Sequence, residues 1–396
     1  VVGKLILVIY LLYHCSVVMK SSHPLILKNA FEGLDITPVM EKALSGDALG
    51  LREVELLMKS PHTDLIGSVA DRIRQRVVGD TVTFVTNQIL NYTNICAVKC
   101  NFCAFYRNEG DEDSYALRPE EVAERAYRAW KMHNTRQVLI QGGVNPNFGI
   151  EYYESVFRKV KKMTKDLAIH GLSTSEIEFI SRKERMSLKE VLQRLKDAGL
   201  SSIPGAGGEI LVDKVRKELG RTLSNSEGYL KVMEEAHGLG IPTSVTMMYG
   251  HVETSEDRAR HILSVLRLQE KTGGFMAFIG WNFEPGNTRM EREGKVRYAA
   301  GGTDLLRVVA AARITYQGNI RNIQSSWLTV GIPMAQLALK YGANDWGGTI
   351  FEEEVIPATG KQVGNLRVQK LIEAVKQIGR PVAERDNFYQ ETRLYN

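Results

Sequence analysis

Apolar residues recur at helical spacing through 36–44, 51–58 and 65–77, so residues 34–80 are predicted to form an N-terminal helical segment that caps the rest. From Thr81 onward short apolar runs alternate with longer amphipathic stretches. Strands are predicted at 82–85, 137–140, 167–170, 201–203, 243–248, 274–281, 320–324 and 343–345. Helices are predicted between them at 119–132, 152–163, 188–198, 226–239, 255–272, 304–316 and 333–341. This alternation predicts an α/β fold, a parallel sheet closed into a (β/α)8 TIM-like barrel over residues 81–360. An open doubly wound sheet uses the same alternation, but no Gly-x-Gly-x-x-Gly follows the first strand. A final helix over 365–378 is expected on the outside, within a C-terminal helix and tail spanning 361–396.

Composition fits that picture: of 396 residues, 43% are hydrophobic and 24% charged, as in a globular domain with a sizeable core. The net charge of +5 is scattered. Its densest runs, 181–185 and 159–162, lack the interleaved aromatics of a nucleic-acid patch and read as solvated helix faces, so no nucleic-acid partner is expected. Residues 1–33 are set apart as an extension. The apolar stretch from Leu5 to Tyr13 is shorter than the roughly 20 residues a membrane span needs, so no stable span is expected. No signal-cleavage pattern follows it, and Met19 is a natural start, which makes residues 1–18 upstream sequence.

Three of the four cysteines, Cys96, Cys100 and Cys103, fall within eight positions, and the fourth is Cys15. A disulfide framework spreads an even set along the chain, whereas clustered thiols point to metal ligation in a reducing, cytoplasmic compartment. Three thiolates from one loop can hold an iron–sulfur cube and leave its fourth iron open. Structural zinc takes four protein ligands and a ferredoxin-type carrier four cysteines, and no histidine lies close in sequence to complete either set. A non-catalytic iron–sulfur or zinc scaffold is the alternative of another class. An open iron can bind the amino and carboxylate groups of S-adenosylmethionine.

The active site of such a barrel lies at the C-terminal ends of its strands. There the sequence places Gln141-Gly142-Gly143, whose glycines allow either a tight turn or close approach to a ligand. Glu176 follows Ser173 and is either a helix cap or a ligand. Glu209 follows a glycine-rich turn, suited to a ribose hydroxyl or a substrate polar group. His251 and Glu253 follow the fifth predicted strand; with Glu209 they are the candidate proton acceptors, although a lone histidine is as readily structural. Trp281, Trp327 and Asn344-Asp345 are expected to end the last three strands.

With Phe102 as its aromatic, the order Cys-x-x-x-Cys-x-aromatic-Cys resembles the radical S-adenosylmethionine superfamily at every defining position. The resemblance implies a [4Fe–4S] cluster on Cys96, Cys100 and Cys103. It places Phe102 beside the cosubstrate's adenine, unless that ring merely fills core, and the cosubstrate's amino group at Gln141-Gly142-Gly143. Residues 34–389 are similar to the menaquinone-pathway branch, most of all to the dehypoxanthine futalosine cyclases. The matching stretches include 197–211 (DAGLSSIPGAGGEIL), 247–254 (MMYGHVET), 322–331 (NIQSSWLTVG) and 342–354 (GANDWGGTIFEEE). Aminofutalosine synthases share the cysteine loop and glycine-rich turns, but Ile279-Gly280-Trp281, Ser325-Ser326-Trp327 and Asn344-Asp345 look more like the cyclases. The chain departs from the family at Gly205-Ala206-Gly207-Gly208-Glu209 and at Tyr316-Gln317-Gly318-Asn319-Ile320, the second losing an acid. The reaction implied is hydrogen abstraction from ribose C4′ by a 5′-deoxyadenosyl radical, followed by ring closure onto an aromatic group. The alternative is radical addition to an enolpyruvyl benzoate. A nucleoside-like small substrate and an electron donor of flavodoxin or ferredoxin type are the implied partners.

Overall fold

The computed structural model describes residues 33–220, 224–362 and 366–395. The apolar N-terminal run, Cys15 and the first residue of the expected final helix lie outside them. The cap is built from α1 (Thr37–Ser45), α2 (Leu51–Lys59) and α3 (Thr63–Val78). A bent strand follows, β1 (Val82–Val85) and β2 (Asn87–Leu90), broken at Thr86. Next come α4 (Pro119–His133), β3 (Gln137–Ile140), α5 (Ile150–Met163), β4 (Ala168–Gly171), α6 (Thr174–Glu184), α7 (Leu188–Ala198) and β5 (Leu200–Ser202). After them come α8 (Asp213–Leu219), α9 (Ser226–Gly238), β6 (Thr243–Tyr249), α10 (Ser255–Thr272), β7 (Phe275–Asn282), α11 (Arg289–Arg292) and α12 (Gly302–Tyr316). The chain ends with β8 (Asn322–Ile323), α13 (Trp327–Ala338), β9 (Asp345–Gly348), α14 (Val368–Gln377), β10 (Val382–Arg385) and β11 (Glu391–Tyr395).

The strands form the expected barrel. β2, β3, β4 and β5 pair in parallel, and a parallel bridge from Ile203 to Thr243 carries the sheet to β6. β6, β7 and β8 continue it, and a bridge from Gln324 to Asp345 leads to β9, which pairs with β1. The capping helices α2 and α3 pack on α12, burying Val54, Leu57, Ile66, Val69 and Ile73. Among the described residues no helix is long and apolar enough to cross a membrane.

Two features depart from expectation. The tail does not stay outside. After α14 packs on α13, β10 pairs in parallel with β1 and β11 antiparallel with β10. The tail thereby closes the N-terminal end of the barrel. There Arg385 donates to both oxygens of Asp345 at 2.6 and 3.0 Å, and its guanidinium lies 3.7 Å from the Tyr389 ring centre. The second feature is an open interior. Side chains along a strand alternate between faces. Gln137 points inward, since its amide meets Asn387 of the tail at 2.8 Å, so Leu139 and its register partners Ile89 and His170 point inward too. Ile89 and Leu139 are partly exposed in mid-strand, as are the paired Thr246 and Ile279 across the barrel. Helices cover the outer face, so that exposure belongs to a central chamber.

Candidate active site

The cysteine loop leaves the end of β2 and folds back on itself. The Cys96 amide donates to the Arg107 carbonyl at 3.2 Å, and the Cys103 amide to the Cys100 carbonyl at 3.2 Å. Neighbouring elements pin it: Asn101 donates to the carbonyls of Leu219 and Glu218 in α8 at 2.7 and 2.9 Å, and Met290 of α11 donates to the Asn101 carbonyl at 3.0 Å. All three cysteines are free thiols and half-buried. The Val144 amide lies 3.3 Å from Cys96 Sγ and donates to it. Burial pushes the Cys100 thiol well up, and Cys103, Cys96 and Glu209 add to this. Burial likewise raises Cys103 to about 11, while the amides of Phe105 and Tyr106 pull it down. The thiols thus sense one another across the loop. Among the described residues no three His, Cys, Asp or Glu side chains are drawn together to hold one metal ion. A cube offers a separate iron to each thiolate and asks for a wider spread of sulfurs. Phe102, between two cysteines, is half-buried and packs on the core.

Beside this loop runs the turn after β3, with Gln141 donating through its amide to the Leu90 carbonyl at 3.1 Å. A Cβ on Gly143 would stand 2.3 Å from the Ile95 carbonyl oxygen, and one on Gly142 2.9 Å from that of Thr93. Neither glycine has a positive φ among the described residues. Both are therefore required by the close approach of the cysteine loop rather than by turn conformation. Gly143→Ala is expected to displace Ile95 and Cys96 and lower iron incorporation several-fold in a folded protein, measured as iron per chain after anaerobic reconstitution.

Glu176 is the N3 residue of α6 and closes a capping box with Ser173. Its Oε2 accepts from the Ser173 amide and hydroxyl, each at 2.6 Å, and its Oε1 from the Tyr92 hydroxyl and, at 3.4 Å, the Gly142 amide. It is fully buried. Of the two sequence readings, the structure gives Glu176 to the cap. Rather than facing a cofactor, it ties α6, the β3 turn and Tyr92, just ahead of the cysteines, into one body.

Glu209 differs. It follows Gly205, Gly207 and Gly208, where a Cβ would meet β6 backbone at 2.3 Å (Gly205) and 2.7 Å (Gly208), or Thr174 Oγ1 at 2.4 Å (Gly207). Its φ of 28° is strained for a side-chain-bearing residue. Arg216, fully buried, holds the turn by donating to the carbonyls of Gly207 and Gly208 at 2.9 and 3.0 Å. Glu209 Oε2 is buried and has no partner among the described residues. Burial raises its carboxyl to about 7, against the pull of Arg216. A folded-state pKa above the ordinary 4.5 gives a contribution to stability that is complete below that value and lost as pH rises through about 7. Glu209→Gln is therefore expected to flatten the fall in melting temperature of the cluster-free protein over this window.

The other two acceptor candidates are spent on structure. His251 is fully buried; its Nε2 donates to the Met248 carbonyl at 3.1 Å and its Nδ1 accepts from the Val252 amide at 2.7 Å. Burial lowers its pKa, against the pull of Glu253, whose Oε2 lies 3.0 Å from Nδ1. Glu253 Oε1 accepts from Arg258 at 2.8 Å, Tyr298 at 2.7 Å and the Gly250 amide at 2.7 Å, while its Oε2 accepts from the His251 amide at 2.9 Å. Both lock the loop after β6. Trp281 and Trp327 do stand at the mouth, the latter donating to the Gly348 carbonyl at 2.8 Å. Asn344-Asp345 open β9 instead of ending it; Asn344 accepts from Arg313 at 2.8 Å, and Asp345 belongs to the floor. Arg216 carried no signal in the sequence, being an isolated polar residue outside any motif, and Tyr92, within the cysteine segment 91–107, was given no role.

Residues 90–265 match the model of the radical SAM superfamily, and residues 272–395 that of the CofH/MqnC C-terminal region. A 5-amino-6-(D-ribitylamino)uracil–L-tyrosine 4-hydroxyphenyl transferase of Methanothermobacter thermautotrophicus is 38% identical over 89% of this chain and 96% of its own. The chain belongs to the radical S-adenosylmethionine superfamily. The cyclic dehypoxanthine futalosine synthase of Streptomyces coelicolor is 34% identical over 91% of this chain and 89% of its own. A crystal structure of HydG, a maturase of the [FeFe]-hydrogenase, superposes with a TM-score of 0.69 at 15% identity, covering 90% of this chain and 77% of that one, a likeness of fold.

Radical S-adenosylmethionine enzymes use a [4Fe–4S] cluster and S-adenosylmethionine, and the residues present suit both. Three unpaired thiols share one loop. At the same end of the barrel Glu209 Oε2 is buried, its charge is felt by Cys100, and it has no partner among the described residues, an acceptor that a bound group would satisfy.

Proposed function

We propose that this radical S-adenosylmethionine enzyme is a cyclase that converts dehypoxanthine futalosine to its cyclic product, a step of menaquinone biosynthesis by the futalosine route, in the reducing cytoplasm. Cys96, Cys100 and Cys103 would each hold one iron of the cluster, with S-adenosylmethionine against Phe102 and the Gln141-Gly142-Gly143 turn. When bound, the pair supplies a primary carbon radical that takes hydrogen from the substrate. The observation that carries the reading is where the cyclase-like segments lie. Trp281 stands next to last in β7, and Ser325-Ser326-Trp327 follows β8, both at the chamber mouth. Relatives that transfer a hydroxyphenyl group are 38% identical across the chain, and they define the second reading.

The chain's own contribution is confinement and proton handling. Ile89, Leu139 and Ile279 wall the chamber with hydrocarbon and keep water from the radical. Among the three acceptor candidates, Glu209 alone retains an unpartnered oxygen, and it is the group assigned the proton that leaves after ring closure, when the ring-closed radical gives one electron to a one-electron acceptor. The electron for the cluster would come from a low-potential donor of flavodoxin or ferredoxin type. The test is anaerobic turnover of reconstituted protein with dithionite. With dehypoxanthine futalosine, cyclic product and free 5′-deoxyadenosine are expected in equal amounts. Turnover only with L-tyrosine plus 5-amino-6-(D-ribitylamino)uracil contradicts the reading. So does 5′-deoxyadenosine built into an adduct with an enolpyruvyl benzoate.

A further inference from the structure

One polar group of the chamber wall is His170, a residue that neither the sequence motifs nor the mouth geometry singles out. It lies on β4 in register with Leu139, which in turn pairs with Ile89, so it shares a level with the two partly exposed wall residues. The imidazole is held from one side by a chain of hydrogen bonds that begins in the C-terminal tail. Gln137 Nε2 donates to Asn387 Oδ1 at 2.8 Å, and the Ser202 hydroxyl donates to the same oxygen at 3.1 Å. We assign the hydroxyl proton to Asn387 Oδ1, which leaves Nδ1–H as the donor in the contact of 2.6 Å between His170 Nδ1 and Ser202 Oγ.

This fixes the tautomer: Nδ1 carries the hydrogen and Nε2 presents a bare lone pair. Burial lowers the ring's pKa to about 3, and Arg385 nearby pushes it the same way, so the ring is neutral. His170 is 8% exposed, and Nε2 is not among the buried side-chain atoms without a partner. With inward orientation and no hydrogen bond to Nε2 from any described residue, that small exposure faces the chamber. A fixed acceptor with no protein donor, set level with Ile89 and Leu139, discriminates strongly between ligands that bring a donor and ligands that do not.

We propose that His170 Nε2 is a substrate-contacting acceptor that receives a hydroxyl hydrogen from the substrate, and that Asn387 and Ser202 are positioning residues that set its tautomer. This rests on the reading of the chain as an enzyme of hydroxyl-bearing small substrates, and it places the specificity contact at the floor instead of the rim. The hydroxyl is either one of a sugar, as in the cyclase substrate, or the phenol of a tyrosine.

Binding to the reconstituted holoenzyme separates these cases. His170→Phe keeps a planar ring and loses the acceptor, whereas His170→Gln returns an acceptor near the Nε2 position. The Phe variant is expected to weaken binding of the hydroxylated substrate about ten-fold, with the Gln variant recovering part of the loss. Analogues lacking one sugar hydroxyl, or phenylalanine in place of tyrosine, should bind wild type as weakly as the intact substrate binds His170→Phe. They should bind both proteins equally, and the analogue that behaves so names the hydroxyl. Iron content per chain should be unchanged. Equal weakening of substrate and every analogue, or none at all, overturns the assignment and leaves the enzymatic reading intact. Failure of wild type to bind either substrate type overturns both.

Discussion

Replacement of Cys100 by alanine is expected to abolish cleavage of S-adenosylmethionine and to strip iron from the reconstituted protein. Two thiolates cannot retain a cube that three hold. Loss of groups merely supporting a metal ligand typically costs about 10–100-fold, so loss of a ligand should exceed that. The fold should survive, because the loop is pinned elsewhere: through Asn101 to α8 and α11, and through Cys96 to Arg107. Cys100 is the most informative of the three because burial and its two sister thiols raise it well above an ordinary thiol, so that it keeps its proton until an iron takes the proton's place. Iron per chain, the absorbance of the cluster and release of 5′-deoxyadenosine should fall together while far-ultraviolet circular dichroism stays constant.

The second large effect lies at the opposite end of the barrel and concerns stability. Arg385→Leu is expected to destabilise the protein by about 3–5 kcal/mol, because it leaves Asp345 buried without its cation. Both side chains are almost wholly inaccessible, and the pair is bidentate, with Thr83 donating a further bond to Asp345 at 2.6 Å. Removing both partners, as Asp345→Leu with Arg385→Leu, should cost less than the single change, since no unpaired charge remains. Denaturant unfolding of the three variants provides the comparison. A single change costing no more than the double would show that the tail does not close the barrel through this pair.

Much of this architecture was legible in the sequence for a simple physical reason. Strands buried on both faces read as apolar runs, and amphipathic helices between them announce a parallel barrel. β3, α7 and α10 have the bounds the pattern predicts. β2 escaped because Asn87 and Gln88 place polar side chains where an apolar run is sought. The tail strands escaped because β10 carries Glu384 and Arg385, whose burial depends on partners distant in sequence, Thr86 at 298 residues and Asp345 at 40. Spacing made the cysteine loop legible, since local wrapping of one cube demands local ligands. The misread residues depend on tertiary contacts. Glu253 is a candidate proton acceptor in sequence and proves to be saturated, Glu176 keeps only the cap half of its two readings, and Arg216 looks ordinary and proves to be buried against the Glu209 turn.

The central claim is that three thiolates leave one iron of a [4Fe–4S] cluster open. The most direct measurement is low-temperature electron paramagnetic resonance of the anaerobically reconstituted, reduced wild-type protein, recorded with and without S-adenosylmethionine. A reduced-cluster signal whose g-values shift on addition of the cosubstrate is predicted. An unchanged spectrum, or a preparation that binds zinc and no iron, would contradict the account.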